Sequence, residues 1–90
     1  MKRYRCIVKG KVQGVWYRRE VSEMAREAGF TGFVRNLPDG TVEVVVDTAE
    51  ERLEIFKQFL LKGSPMSIVT EIECQEIPLD TPFTTFEVVR

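Results

Sequence analysis

The sequence predicts an α+β sandwich built as one domain. Two observations carry that prediction: five short segments are alternating or β-branched, and two others repeat apolar residues at helical spacing. A third is their order, in which each helix stands between strands and one further strand follows at the end.

Residues 4–10 set Tyr4, Cys6 and Val8 against Arg5, Ile7 and Lys9, the alternation of a strand with one buried face. Residues 18–28 carry Val21, Met24, Ala25 and Ala28 on one helical stripe, and Gly29 is a natural stop. Residues 30–36 are aromatic and β-branched, hence a second strand. Leu37-Pro38-Asp39-Gly40 is turn chemistry, so residues 30–47 read as a hairpin whose return strand is 41–47. Thr48 with Glu51 three positions later reads as a capping box opening a second helix. Its apolar face is Leu53, Phe56, Phe59 and Leu60, and Gly63 ends it before Ser64-Pro65. Residues 68–77 and 83–89 read as the fourth and fifth strands, with Pro78 and Pro82 bracketing the loop between them. The resulting βαββαβ order with an extra C-terminal strand is the ferredoxin-like plan: two helices on one face of an antiparallel sheet. No linker or repeat divides the chain, so residues 1–90 form a single domain.

Composition narrows the function. Apolar residues are 43% and charged residues 30%, which excludes disorder. A net charge of −1 supplies no global field for a polyanion, so an anionic ligand needs a local constellation. The basic N-terminus has no apolar segment behind it, and no apolar run approaches the length of a membrane span. A cytoplasmic monomer with no membrane association is the expectation. The chain has no histidine, which removes Ser-His-Asp and Cys-His catalysis. Cys6 and Cys74 stand far apart with no CxxC spacing, so a zinc site is not expected. They read as small buried hydrophobes in strands, with a disulfide open if those strands are neighbours.

One local rule is broken. The first helix follows Gly10-Lys11-Val12-Gln13-Gly14-Val15-Trp16-Tyr17 and opens on Arg18-Arg19, with no Ser, Thr, Asp or Asn to cap it. Those cations oppose the helix dipole, and Glu20 offsets them only in part. A bound anion would satisfy the open N–H groups and the arginines together. The plainer alternative is a glycine-shaped connecting loop with solvated arginines. Neither the Walker spacing nor GxGxxG is present. In the ferredoxin-like plan the first two strands run parallel with the third between them, so Gly10–Arg18 and Asn36 lie at one edge of the sheet. Asn36 is also good turn chemistry in its own right, ahead of Leu-Pro-Asp-Gly.

These residues resemble a known family. Gly10-Lys11-Val12-Gln13-Gly14-Val15-Trp16-Tyr17-Arg18 is similar to the first acylphosphatase signature, Gly-x-Val-Gln-Gly-Val-x-[Phe/Tyr]-Arg. Gly32-Phe33-Val34-Arg35-Asn36 followed by Gly40-Thr41-Val42 is similar to the second. The resemblance covers essentially the whole chain. It implies a metal-independent enzyme without a cofactor, hydrolysing acyl phosphates to carboxylate and inorganic phosphate. It further implies a phosphate cradle of Gln13, Gly14, Val15, Trp16, Tyr17 and Arg18, with Arg18 on the phosphoryl oxygens and Asn36 orienting water. Arg19 and Arg35 are not catalytic positions of the pattern. The chain departs from it at Thr48, usually Gly, and its ending Phe86–Arg90 matches only loosely.

The chemistry suits so small a site. An acyl phosphate is a mixed anhydride whose carboxylate departs without a general acid, so positioning and charge stabilisation carry the reaction. Two rivals share the topology. One is an RRM-like RNA-binding module, against which the third strand offers no aromatic to stack a base. The other is a non-catalytic phosphate-binding regulatory domain.

Overall fold

The computed structural model describes all 90 residues. Its elements run β1 (Lys2–Lys11), α1 (Tyr17–Glu27), β2 (Thr31–Asn36), β3 (Val42–Thr48), a 3-10 turn (Glu50–Arg52), α2 (Leu53–Lys62), β4 (Ile68–Ile77) and β5 (Phe86–Val89). The strands form one sheet in the order β4-β1-β3-β2-β5. β3 is antiparallel to both β1 and β2, so those two run parallel with β3 between them, as expected. Both helices pack on one face of this ferredoxin-like sheet. α1 lies against β2, β5 and α2, and α2 also touches β4.

Register explains the layering. Tyr4, Cys6 and Val8 pair with Val46, Val44 and Val42, which pair in turn with Gly32, Val34 and Asn36. These residues share the helix-covered face, because side chains alternate along a strand. Together with Val21, Ala25, Phe56, Leu60 and Phe86 they supply most of the buried core. Full burial of each Val, Leu or Phe is worth about 1.5–3 kcal/mol. The odd-numbered residues of β1, β2 and β3 share the other, open face.

Three expectations change. The sheet is mixed, not antiparallel throughout, because β5 pairs parallel with β2 at the far edge from β4. β5 also begins three residues later than the pattern predicts. Residues 83–85 belong to the crossing from β4, and the Phe83 N–H donates to Asp47 Oδ2 at 3.0 Å. The capping box does not form. Thr48 is buried as the last residue of β3, opposite Lys2, and its hydroxyl lies 3.2 Å from the Ala49 carbonyl. Ladder pairing and burial of a β-branched residue outcompete the cap, and the chain enters α2 through the 3-10 turn instead. Thr48 therefore departs from the family pattern as a strand residue and not as a helix cap.

Cys6 and Cys74 face each other across β1 and β4 and are joined in a disulfide that closes a sequence separation of 68. Of the two readings the sequence left open, the structure has the disulfide: sheet order makes β4 the neighbour of β1, and matched register brings the two sulfurs together.

Candidate active site

The segment from Val12 to Tyr17 is pinned from below. Val12, Val15 and Tyr17 are buried in the core, while Gly14 and Trp16 between them are exposed. The Ser64 hydroxyl donates to the Val15 carbonyl at 2.5 Å, and the Tyr17 hydroxyl donates to the Leu60 carbonyl at 2.7 Å. Burial pushes the Tyr17 phenol well above its ordinary pKa, so it remains a neutral donor. Gly14 (φ 73°) and Trp16 (φ 66°) take the left-handed conformation, Trp16 being the only non-glycine residue to do so. Left-handed residues at alternate positions are a feature of the backbone turns that form anion-binding concavities. No N–H from Gly14 to Arg19 donates to a protein acceptor. Trp16 is the N-cap of α1 and no side chain caps that helix, as its sequence predicts.

The Gln13 side chain ties this loop to the hairpin carrying Asn36. Its amide nitrogen donates to the Leu37 and Thr41 carbonyls, each at 2.8 Å. Asn36 ends β2 on the helix-covered face, in the row Val8–Val42–Asn36. Its Oδ1 is the only buried side-chain polar atom without a hydrogen-bond partner in the protein. A buried acceptor of this kind requires an explanation, because leaving it unpaired costs about 1–3 kcal/mol.

A cavity of about 500 Å³ opens over the start of α1. Gly14, Trp16, Tyr17 and Arg18 line it; Gln13, Val15 and Asn36 do not. Arg18 is half-buried there and donates a long hydrogen bond, 3.4 Å, to the Val89 carbonyl of β5. The structure thus brings Gly14, Trp16, Tyr17 and Arg18 to one cavity, while Gln13 ties the loop to Leu37 and Thr41 of the hairpin and Asn36 lies outside the cavity wall. Arg19 is exposed and pairs with Glu23 at 3.4 Å.

Five further cavity residues were not singled out from the sequence: Ser22, Glu23, Arg26, Val88 and Arg90. Ser22 and Arg26 follow Arg18 at steps of four, one stripe of α1, so the helical period that marked the apolar face could have marked them too. Arg26 donates to the Phe86 carbonyl at 2.8 Å. β5, whose role the sequence leaves open, thereby supplies carbonyls that hold two of the four cavity arginines. Glu23 is the only acidic side chain on the wall. A chain of net charge −1 thus sets four arginines against one acidic side chain on this wall.

No group of three or more His, Cys, Asp or Glu side chains clusters as a metal site would require, and no helix is long and apolar enough to cross a membrane.

The acylphosphatase family model matches residues 4–88. The chain belongs to the acylphosphatase family. It is 42% identical to the acylphosphatase of Methylococcus capsulatus over 90 residues, covering 100% of this chain and 98% of that one. It is 46% identical to the acylphosphatase of Bacillus licheniformis over 76 residues, 84% of each. The crystal structure of acylphosphatase from Bacillus subtilis superposes with a TM-score of 0.92 at 37% identity, each chain covered completely. Family and fold together support acyl-phosphate hydrolysis by this chain.

Proposed function

We propose that the chain hydrolyses the carboxyl–phosphate bond of acyl phosphates without a metal ion, with Arg18 and the Gln13–Arg18 loop holding the phosphoryl group and Asn36 orienting the attacking water. The observation that carries this reading is the unpaired, buried Oδ1 of Asn36 beside a loop whose amides are also unpaired. Binding phosphate would need only donors, the amides and Arg18; an acceptor near them suits a water molecule.

The phosphoryl oxygens accept from the loop N–H groups and from the Arg18 guanidinium, a planar fork matched to two oxygens. Asn36 Oδ1 accepts one O–H of the water and fixes its lone pair toward phosphorus. The water oxygen bonds to phosphorus as the phosphorus–acyl oxygen bond breaks, and the carboxylate leaves with the electron pair. An amide is no base, so the water's proton passes to a phosphoryl oxygen of the substrate. Each preorganised donor is worth about 3–4 kcal/mol in such a transition state. Core burial of Val12, Val15 and Tyr17 supplies the preorganisation.

The same reading covers the setting: a cytoplasmic monomer acting on a small acyl phosphate, with no nucleic acid partner. On the open face of the sheet, where an RRM stacks bases, Arg5 and Arg35 both bind Glu43, and β3 presents Glu43, Val45 and Asp47. Filter binding with single-stranded RNA at rising salt tests this part, and no retention is expected.

Hydrolysis of benzoyl phosphate in excess EDTA, with Asn36→Ala alongside, tests the main claim. Turnover indifferent to chelator and largely lost in the variant is expected. An inactive wild type that phosphate nevertheless protects from unfolding would make the chain a binding module.

A further inference from the structure

We propose that Trp16 is a specificity-determining residue: its indole is the platform on which the acyl group of the substrate lies, and it selects acyl phosphates with a flat aromatic or extended apolar acyl portion over acetyl-sized ones. This inference rests on the acyl-phosphate reading above.

Trp16 is the only tryptophan in the chain, and its placement is unfavourable in two ways. It takes the left-handed conformation, φ 66° and ψ 15°, where a large side chain crowds its own backbone and Gly or Asn would sit more easily. Its side chain does not recover that cost by burial, because the residue is 66% exposed. The loop geometry requires a left-handed residue at this position but does not require an indole. The neighbouring aromatic, Tyr17, is a core residue at 1% exposure, so the two adjacent rings divide the work.

Position supplies the use. The indole borders the same cavity as Gly14 and Arg18, and Val88 of β5 presents a second partly exposed apolar surface there. The Arg19 guanidinium sits 5.7 Å from the indole ring centre, a cation–π contact that limits where the ring can swing. Arg19 is itself braced by Glu23 at 3.4 Å. With the phosphoryl group on the loop amides and Arg18, the acyl portion must project out of the cradle. Trp16 belongs to that loop, so its ring is the adjacent apolar surface. A methyl group covers little of it; a phenyl ring can stack on it.

The test compares kcat/KM for benzoyl and acetyl phosphate in wild type, Trp16→Asn and Trp16→Phe. Asn tolerates the left-handed backbone, so the loop can keep its shape while the platform is lost. The benzoyl-to-acetyl ratio is expected to fall about five- to tenfold in Trp16→Asn and to be mostly retained in Trp16→Phe. An unchanged ratio in Trp16→Asn overturns the proposal even if both rates drop.

A second readout needs no variant, since all tryptophan emission comes from this one indole. Benzoylphosphonate, which has a carbon–phosphorus bond in place of the scissile one, should perturb that emission saturably. Acetylphosphonate and inorganic phosphate should compete for the site with a much smaller change. Benzoylphosphonate that protects the protein from thermal unfolding yet leaves the emission unaltered also overturns the proposal. A wild type that hydrolyses neither substrate defeats the acyl-phosphate reading itself, and this inference with it.

Discussion

The arginines of the sheet's open face and those of the cavity differ in what they face. On the open face Arg3 is held by Asp47 in a bidentate pair, at 2.6 and 2.9 Å, and Arg5 and Arg35 flank Glu43. The Asp47 side chain is fully buried and also accepts from the Phe83 amide, and the Arg3 guanidinium lies 4.1 Å from the Phe83 ring centre. In the cavity, Arg18 and Arg26 reach only backbone carbonyls. The same residue type is saturated by carboxylates in one region, whereas in the other Arg19 meets one, Glu23, and Arg18 and Arg26 meet none. Mated charges organise the fold; the unmated ones have capacity for an anionic ligand. The two regions are also joined. Arg3 and Asp47 hold the crossing of residues 78–85 that leads into β5, and β5 carries the carbonyl that meets Arg18.

Substitutions should separate the two regions. The largest effect is expected from Arg18→Lys, which keeps the charge and loses the planar fork. Its kcat/KM for benzoyl phosphate should fall about 10²–10³-fold, the loss typical of a transition-state donor, with little change in the urea midpoint. A comparable loss of stability in this variant would show that the cavity arginines are structural after all. Next is the disulfide, which braces β1 against β4 away from the cavity wall. Replacing Cys6 and Cys74 together by Ala should lower unfolding free energy by about 2–4 kcal/mol while kcat/KM of the folded protein stays within about twofold. Urea unfolding and steady-state rates on one preparation check both halves.

Asp47→Asn is expected to cost about 3 kcal/mol, because it strands a partly buried guanidinium. Some loss of activity should accompany it, through the slackened crossing and β5. Undiminished activity in the folded variant would uncouple the two regions.

The smallest effect is a pH dependence. Burial pushes the Glu43 carboxyl up, but hydrogen bonds from Arg5 and Arg35 outweigh it and hold the group below its ordinary 4.5. Burial likewise pushes Asp47 up, and the bonds from Arg3 and the Phe83 amide hold it below its ordinary 3.8. Depressed carboxyls contribute stability that is complete above their unfolded values and is lost as pH falls through the folded ones. Thermal stability should therefore be flat above about pH 5 and decline below about pH 4, and Glu43→Gln with Asp47→Asn should flatten that decline.

Sequence by itself determined most of the elements and pointed to one half of the proposed site. Alternation, helical period and turn chemistry depend on neighbours a few residues apart, so β1 to β4 and both helices fall close to where the pattern puts them. The proposed cradle coincides with a local failure: no cap, cations of the wrong sign and a glycine at position 14 whose positive φ the loop uses. Other features depended on which strands lie side by side. No local rule pairs Cys6 with Cys74, sends β5 to the far edge of the sheet, or turns Thr48 from a helix cap into a strand end. Asn36 read better as turn chemistry from the residues alone; register sets it on the covered face with an unpaired oxygen. Trp16 and Tyr17 are adjacent aromatics in the sequence, and only packing made one of them core and the other the exposed wall of the cavity. Local free-energy terms are carried by short stretches of chain, whereas burial and hydrogen-bond satisfaction are properties of the assembled sheet.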